Sequence, residues 1–217
     1  LFTTISVSLV SLILAAILGL IVTLPNLSSR KSLRYLNIAY VDTGAMYRSI
    51  ALLVLEANKD CHRIEDVLSV LEDVSFDFAW NGDALDVSLN NRNVSESIRT
   101  KEVGALASVV SVYPEVRAKL SEIQQAYANS ESMVMDGRDI GTVIIPNAEL
   151  KVFVDAEVHE RARRRWIELQ AKGETANVEE IAADLRERDE RDRNRSIAPL
   201  KRAADAKLLD TTTLTIE

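Results

Sequence analysis

The 217-residue chain is long enough for one domain, or for one domain with a small insert, and its 47% hydrophobic content suffices for a buried core. A net charge of −7 excludes attraction of nucleic acid by a global field, so an anionic ligand needs local clusters of Arg or Lys. The single cysteine excludes an internal disulfide and indicates a reducing compartment. Cys61, His62 and His159 do not have the spacing of metal ligands.

The chain begins with an apolar segment. Residues 5–24 form an uncharged run of 20 residues, which is long enough to span a bilayer as a helix. Pro25 would end such a helix, and Arg30, Lys31 and Arg34 would keep the following domain in the cytoplasm. No basic residue precedes the run, which argues against a signal peptide. A membrane anchor, a buried core segment and out-of-frame translation joined to a genuine domain all stay open.

From residue 35 onward the pattern is typical of an α/β protein, in which a parallel sheet is flanked by helices. Short apolar runs predict strands, and a 3.6-residue periodicity predicts helices. Alternating apolar residues around an Asn-Gly-Asp turn predict a small antiparallel β insert at about residues 70–95. The other predicted elements, in chain order, are a strand at 36–41, helices at 45–58, 100–112 and 115–128, strands at 133–135 and 150–154, helices at 157–171 and 178–194, and a strand at 207–209.

The first motif that carries chemistry is DTGAMYR, residues 42–48, at a predicted strand-to-helix turn. Thr43 and the free amides at the start of the helix form an anion site. Arg48 lies one turn further along and could form a two-pronged contact with a phosphate. An ordinary helix cap with a surface arginine is the structural alternative.

The second motif is DGRD, residues 136–139, directly after an apolar strand. Asp136 stands at the carboxyl end of a predicted parallel strand, where the Mg²⁺ of a bound nucleotide is usually held. Gly137 permits a close approach of the backbone, and Arg138 and Asp139 add a donor and an acceptor. An ordinary Asp-Gly turn is the structural alternative.

Two arginine-rich helices follow. Arg188, Asp192 and Arg195 have the spacing i, i+4 and i+7, which predicts that they share one helix face. Clustered arginines on a mobile helix can close over transferring phosphates. Solvated helices with surface salt bridges are the alternative for both segments. The arginines of the first helix are Arg161, Arg163, Arg164 and Arg165.

Together and in this order, the motifs resemble the bacterial cytidylate kinases over most of the chain. The matching strings are YVDTGAMYR (40–48), SIRT (97–100), PEVR (114–117), MDGRDIGT (135–142) and ERDERDRNR (187–195). The resemblance implies a P-loop nucleoside monophosphate kinase over residues 35–217, with the β insert and a short lid at about residues 157–195. It also implies transfer of a phosphoryl group from ATP, with Mg²⁺, to CMP or dCMP.

The resemblance assigns roles residue by residue. The residues that it implies for the acceptor phosphate are Arg48, Arg138 and Arg195, with Thr43 nearby. The resemblance implies that the cytosine edge is read by Ser108, Arg117 and Asp139. It implies that the sugar hydroxyls are bound by Arg188 and Asp192. The residues that it implies for the catalytic step are Arg138, Asp136 near Mg²⁺, and Arg164 facing the donor phosphates.

One part of the family pattern is absent. The donor phosphates need a G-x-x-x-x-G-K-[ST] loop, whose amides and lysine cradle them, but the 217 residues contain no Gly-Lys pair. Residues 18–29, where the loop would lie, are mostly apolar. We therefore expect little turnover by the chain as written.

Two rival functions remain at this stage. A catalytically inactive, membrane-tethered CMP-binding module is one, and an interaction protein with charged helices is the other. The intact 42–48 and 136–142 strings count against the interaction protein. We expect a cytoplasmic monomer without a nucleic-acid partner, or an inner-membrane anchor with a cytoplasmic domain if residues 1–34 are genuine.

Overall fold

The computed structural model describes residues 3–7, 39–81, 84–130 and 132–214. Short helical turns at Ser97–Arg99 (3₁₀) and Ile140–Ile144 (π) accompany the main elements. The main elements, in chain order, are β1 (Thr3–Val7), β2 (Ala39–Asp42), α1 (Thr43–Glu56), α2 (Ile64–Leu68), β3 (Phe76–Asn81), β4 (Ala84–Leu89), β5 (Arg92–Asn93), α3 (Lys101–Val110), α4 (Pro114–Ser130), β6 (Met133–Gly137), β7 (Leu150–Asp155), α5 (Val158–Ala171), α6 (Val178–Asn194) and β8 (Lys207–Asp210).

The chain forms two compact units. The N-terminal unit comprises residues 7–136, and the C-terminal unit comprises residues 137–217 with residues 1–6. In the N-terminal unit β2 pairs in parallel with β6, so that Asp42 lies beside Asp136 at the carboxyl ends of the two strands. Strands β3, β4 and β5 form the predicted antiparallel sheet.

Local chemistry sets the ends of the helices in the N-terminal unit. A carboxylate oxygen of Asp42 accepts a hydrogen bond from the Ala45 amide and caps α1. The Thr100 hydroxyl oxygen accepts from the Val103 amide and caps α3 in the same way. Pro114 is the first residue of α4, where its missing N–H costs no helical hydrogen bond.

The core of the N-terminal unit lies along the inner faces of its helices. Helix α1 packs against α3, and both present apolar residues at helical spacing. These buried side chains hold β2 and α1 in place and so fix the turn at residue 42. The fully or almost fully buried residues include Met46, Ile50 and Val54 of α1, Val103 and Val110 of α3, Leu120 of α4, and Val134 and Met135 of β6.

The C-terminal unit has its own parallel strand pair and a pair of packed helices. Strand β7 pairs with β8, so that Asp155 lies beside Asp210. Helix α5 packs against α6. Gly173 follows α5 with a φ of 75°, a left-handed conformation that favours glycine at a helix end. A small cluster of Phe153, Leu200, Ala203 and Ala206 forms part of the core.

The predicted α/β class is confirmed, with parallel strand pairs, helices and a small antiparallel sheet. Helix α6 has the predicted bounds, whereas α2, the 3₁₀ turn and the π turn were not predicted. Residues 5–7 of the apolar run lie in strand β1, and residues 8–24 lie outside the described residues. In the described part of the chain, no helix combines the length and apolar character needed to cross a membrane.

Candidate functional site

The turn between β2 and α1 fixes an arginine beside a helix N-terminus. Arg48 Nη2 donates to Asp42 Oδ2 over 2.8 Å, while the other carboxylate oxygen of Asp42 caps the helix. The Arg48 and Asp42 side chains are 26% and 33% exposed. The guanidinium is therefore held in place and remains accessible to a ligand.

Gly44 leaves the space that this arrangement needs. A Cβ at residue 44 would lie 3.1 Å from Arg48 Nη1 and 3.1 Å from Asp42 Oδ1, which is closer than nearly all such contacts. Among the described residues, no acceptor lies within hydrogen-bonding distance of the buried Arg48 Nε. The exposed part of the same guanidinium remains available to an anionic ligand.

Asp136 ends the neighbouring strand. Its Oδ2 accepts from the Tyr40 hydroxyl at 3.0 Å, and its backbone carbonyl accepts from the Thr43 hydroxyl at 2.7 Å. Thr43 is 3% exposed, so its hydroxyl proton binds this backbone carbonyl and is not directed to solvent. The Thr43 side chain thus joins the start of α1 to the end of β6.

The two adjacent carboxylates, Asp42 and Asp136, are hard oxygen ligands of the kind that Mg²⁺ prefers. Within the described ranges, no group of three or more His, Cys, Asp or Glu side chains could hold a metal alone. Mg²⁺ at nucleotide sites is usually held by one or two carboxylates together with phosphate oxygens and water. Asp136 therefore fits the predicted contribution to a nucleotide-bound Mg²⁺, which stays a prediction.

Arg117 is a buried cation in the N-terminal unit. It is 4% exposed, and its Nη1 donates to the Ser111 carbonyl over 3.2 Å. Its guanidinium carbon lies 5.5 Å from the centre of the Tyr47 ring, within the range of a cation–π contact. Ser108 is half-buried on α3, and its carbonyl accepts from the Ser111 hydroxyl. The 108–111 turn thus links two of the three predicted cytosine-reading residues, Ser108 and Arg117.

The C-terminal unit brings two predicted phosphate-binding arginines onto one carboxylate. Arg138 Nε donates to Asp192 Oδ2 at 3.1 Å, and Arg195 Nη1 lies 3.4 Å from Asp192 Oδ1. The three side chains are 22%, 9% and 12% exposed for Arg138, Arg195 and Asp192. Two guanidiniums thus contact one carboxylate, and guanidinium groups are well suited to binding a phosphate.

Arg195 lies just beyond the predicted and observed end of α6. It is the C-cap of α6, with extended backbone, and so lies outside the helix. It reaches Asp192 from there, and its Nε donates to the Ala198 carbonyl at 2.6 Å. Arg188 is exposed on α6, whereas Asp192 is buried. The predicted shared face therefore holds for Arg188 and Asp192, four residues apart in α6, but not for Arg195, which follows the helix and still meets Asp192.

Asp139 begins the π turn. It is 5% exposed, and its backbone carbonyl accepts from the Thr142 hydroxyl and from the Val143 amide. The Asp139 backbone is thereby fixed directly after Arg138. Its side chain is held in a buried setting, in which a hydrogen bond to a base edge would be strong.

Arg164 is firmly held within the C-terminal unit. Its Nε donates to Glu160 at 2.8 Å, and its other nitrogens donate to the Thr211 hydroxyl and carbonyl and to the Leu214 carbonyl. The side chain is 17% exposed. In this structure the predicted donor-phosphate residue joins α5 to the segment after β8.

Glu160 accepts from two arginines. A hydrogen bond from Arg163, and to a smaller extent one from Arg164, lowers the pKa of Glu160 to about 2, against the opposing effect of burial. The Glu160 carboxylate thus stays charged and keeps Arg164 in its present orientation over the physiological pH range.

Sequence reasoning missed two features next to the predicted residues. Tyr47 lies inside the DTGAMYR string, but its ring is used by Arg117, which is distant in sequence. Arg161 and Asp189 form a buried ion pair between α5 and α6, although both stand in charge runs typical of solvated helices. A helical projection of residue 189 onto the same face as Ala182 would have been the available signal for the second.

Comparison with known proteins places these observations in a family. The family model described as cytidylate kinase matches residues 28–217. Cytidylate kinase 1 of Haemophilus influenzae is 43% identical over 84% of this chain and 79% of its own length. Cytidylate kinases of Bacillus cytotoxicus (43%, over 85% and 82%) and Carboxydothermus hydrogenoformans (44%, over 84% and 82%) are similar to the same extent.

Proposed function

Because this chain belongs to the cytidylate kinase family, a family of ATP-dependent P-loop nucleoside monophosphate kinases, we propose that it binds CMP or dCMP as the phosphoryl acceptor of this reaction. The observation that carries the proposal is the Arg138–Asp192–Arg195 cluster in the C-terminal unit. It combines two guanidinium groups on one carboxylate, and these residues lie in two of the strings that match the family. Planar guanidinium groups can each donate two hydrogen bonds to the oxygens of a phosphate monoester, so a pair of them is well suited to it.

We assign the acceptor phosphate to Arg48, Arg138 and Arg195. Arg48 is supported by its fixed contact with Asp42 and by the partial exposure of its guanidinium. Thr43 has a supporting role, since its hydroxyl proton is already donated to the Asp136 carbonyl. Electrostatic stabilisation of transferring phosphates by such groups is the main contribution of a kinase.

We assign recognition of cytosine to Ser108, Arg117 and Asp139. Cytosine presents an amino donor beside the N3 acceptor, whereas uracil presents an O4 acceptor beside an N3–H donor. A carboxylate at Asp139 can accept from the amino group but would face O4 with lone pairs opposed. Arg117 can donate to cytosine N3 but would meet a donor at N3 of uracil.

We assign the sugar hydroxyls to Arg188 and Asp192, Mg²⁺ to Asp136, and the donor phosphates to Arg164. Mg²⁺ supplies neutralisation of the developing phosphate charge when it is bound. Asp136, whose carboxylate accepts a hydrogen bond from the Tyr40 hydroxyl, would hold the Mg²⁺ ion. Arg164 must exchange its contacts with Thr211 and Leu214 for phosphate oxygens if it is to take this role.

The experiment that tests the acceptor assignment is calorimetric titration of the full chain with CMP and UMP. Each mismatch of a buried polar pair costs about 1–3 kcal/mol, so two mismatches predict a preference for CMP of roughly 10²- to 10⁴-fold. Asp139→Ala should weaken CMP strongly and UMP little. Equal losses for both nucleotides would mean that Asp139 supports the fold and does not read the base.

A second candidate function is a CMP-binding module without catalysis, tethered to a membrane. The absence of any Gly-Lys pair in the 217 residues favours it, because no donor cradle can be built without that motif. The tether depends on residues 8–24, which lie outside the described part of the chain. Insertion of residues 5–24 into membranes as a fusion to a soluble reporter, together with an intact reading frame, would favour this candidate.

A further inference from the structure

A buried ion pair joins α5 to α6. Arg161 Nη1 and Nη2 donate to Asp189 Oδ1 and Oδ2 over 3.2 and 2.6 Å, a two-pronged contact. The side chains are 5% and 7% exposed. By contrast, the polar contacts of His159 with Arg186 and Glu179 lie at the exposed surface between the same two helices. The Arg161–Asp189 pair is therefore a buried contact between α5 and α6.

The same guanidinium also contacts the end of the sheet. Arg161 Nε donates to the carbonyl of Ala156 over 2.9 Å, and Ala156 directly follows strand β7. One side chain thus makes three directed hydrogen bonds, one to the backbone at the end of β7 and two to α6. Since a guanidinium is planar and rigid, these bonds fix the direction of the Asp189 side chain relative to β7.

Asp189 stands between two residues of the proposed acceptor site. Arg188 precedes it, and Asp192 follows three residues later, less than one helical turn away. Successive residues are rotated by about 100° around a helix axis, so fixing Asp189 fixes the directions in which Arg188 and Asp192 project. Asp192 is the carboxylate that holds Arg138 and Arg195. The ion pair therefore determines where this cluster lies on the helix.

Stability alone does not require charges at these positions. Replacing a buried ion pair by well-packed apolar residues of similar volume is often neutral or stabilising. A pair of apolar side chains, however, tolerates small rotations and slides of one helix against the other. Two parallel N–H···O bonds do not tolerate such movements, because hydrogen bonds weaken steeply when the N–H···O angle changes.

We propose that Arg161 and Asp189 are positioning residues, which set the rotation of α6 and thereby the placement of Arg188 and Asp192 for the sugar of the acceptor nucleotide. The inference rests on the proposed CMP-binding function. Neither residue contacts the nucleotide in this account. They act through the helix that carries the contacting side chains.

The test compares binding of CMP and of 2′,3′-dideoxy-CMP, which lacks the sugar hydroxyls, to the full chain. The double variant Arg161→Met with Asp189→Leu keeps the buried volume and removes the directed bonds. We expect it to fold with an unchanged or raised Tm and to bind CMP about 10- to 100-fold more weakly, since contacts to charged groups are lost. We expect the binding of the dideoxy nucleotide to weaken less than that of CMP. The affinity for CMP divided by the affinity for dideoxy-CMP should therefore fall.

Two further variants complete the design. Asp189→Asn removes the negative charge and keeps the shape of the side chain. Like the double variant, it should weaken the binding of CMP more than that of dideoxy-CMP. Glu187→Gln removes an exposed pair with Arg191 on the same helix and should leave both affinities unchanged.

The outcomes separate the two claims. If the wild-type chain does not bind CMP, the proposed function fails and this inference fails with it. If the wild type binds CMP and the folded double variant binds it within about twofold, with an unchanged ratio, only the positioning role is contradicted. Equal losses for CMP and dideoxy-CMP would also contradict it, because the effect would then not act through the sugar contacts.

Discussion

At the scale of single residues, the turn after β2 shows how a glycine makes an arginine available. Gly44 has no Cβ, and the space that a Cβ would fill contains Arg48 Nη1 and Asp42 Oδ1. Arg48 therefore donates to Asp42 while part of its guanidinium stays exposed to solvent. The small residue and the charged pair form one functional arrangement.

Gly44→Ala should displace the Arg48 guanidinium and weaken CMP binding. Loss of a hydrogen bond to a charged group costs about 1.5–3 kcal/mol, so we expect about a tenfold or larger loss of affinity by calorimetry. Gly104→Ala is the matched control, because no heavy atom lies within 4 Å of a Cβ at that position in α3. It should raise stability by roughly 0.5–1 kcal/mol and leave CMP affinity unchanged. Equal affinities for the two variants would show that Arg48 does not contact the ligand.

The residue scale also shows what sequence reasoning could not reach. Thr43 and Arg48 were placed correctly at a helix start because capping depends on neighbours in the chain. The contact between Tyr47 and Arg117 depends on how α1 and α4 pack, and no local pattern contains that information. The roles of Ser108, Arg117 and Asp139 came from the resemblance and remain predictions.

At the scale of elements, the charged residues of α5 and α6 make two kinds of ion pair, one within a helix and one between the two helices. On α5, Glu160 accepts from both Arg163 and Arg164, three and four residues further along the same helix. Between the helices, Arg161 and Asp189 make a buried pair. The sequence shows both as similar charge runs, since a helix pattern alone does not tell which charged face a second helix will cover.

Glu160 predicts a specific acid dependence of stability. Its pKa is lowered to about 2, so its contribution is fully present above the ordinary value of 4.5 and is lost as the pH falls from 4.5 towards 2. Glu160→Gln should lower the free energy of unfolding at pH 7 by about 1 kcal/mol, a discounted figure because the Arg163 partner is largely in solvent. The difference from wild type should shrink between pH 4.5 and pH 3 in urea titrations.

Glu168→Gln is the control for that prediction. Glu168 pairs with Arg165 on the same helix, with side chains 58% and 47% exposed. Its replacement should change the free energy of unfolding little at any pH. A difference between Glu160→Gln and wild type that stays constant from pH 7 to pH 3 would contradict the account of Glu160.

Element bounds followed from the sequence where local chemistry determines them. Asn177 caps α6, and its acidic first turn and basic last turn agree with the helix dipole, so the predicted range was confirmed. The π turn at Ile140–Ile144 was missed, because hydrogen bonds to the Asp139 and Ile140 carbonyls replace the usual helical spacing there. The end of α6 at Asn194 was predicted, and Arg195 follows it as the C-cap with extended backbone.

At the scale of the whole molecule, the chain forms two compact units. The α/β class and the antiparallel insert were predictable from periodicity and turn residues. Family membership followed from five strings that match in order and is shown by similarity along most of the chain. A loop that binds the donor phosphates was not predicted for this chain, because the sequence motif of such a loop is absent from the 217 residues.

The central claim is that this chain carries the acceptor half of a cytidylate kinase and lacks the donor loop. Its most direct test is a coupled ADP-release assay with CMP and ATP·Mg²⁺ on the chain as written and on a variant with a G-x-x-x-x-G-K-[ST] loop introduced ahead of residue 35. We predict turnover far below the usual kinase range for the first, and turnover of about 1–100 s⁻¹ for the second. Turnover in that range by the chain as written would contradict the claim. So would a folded loop-carrying variant that binds both nucleotides and releases no ADP.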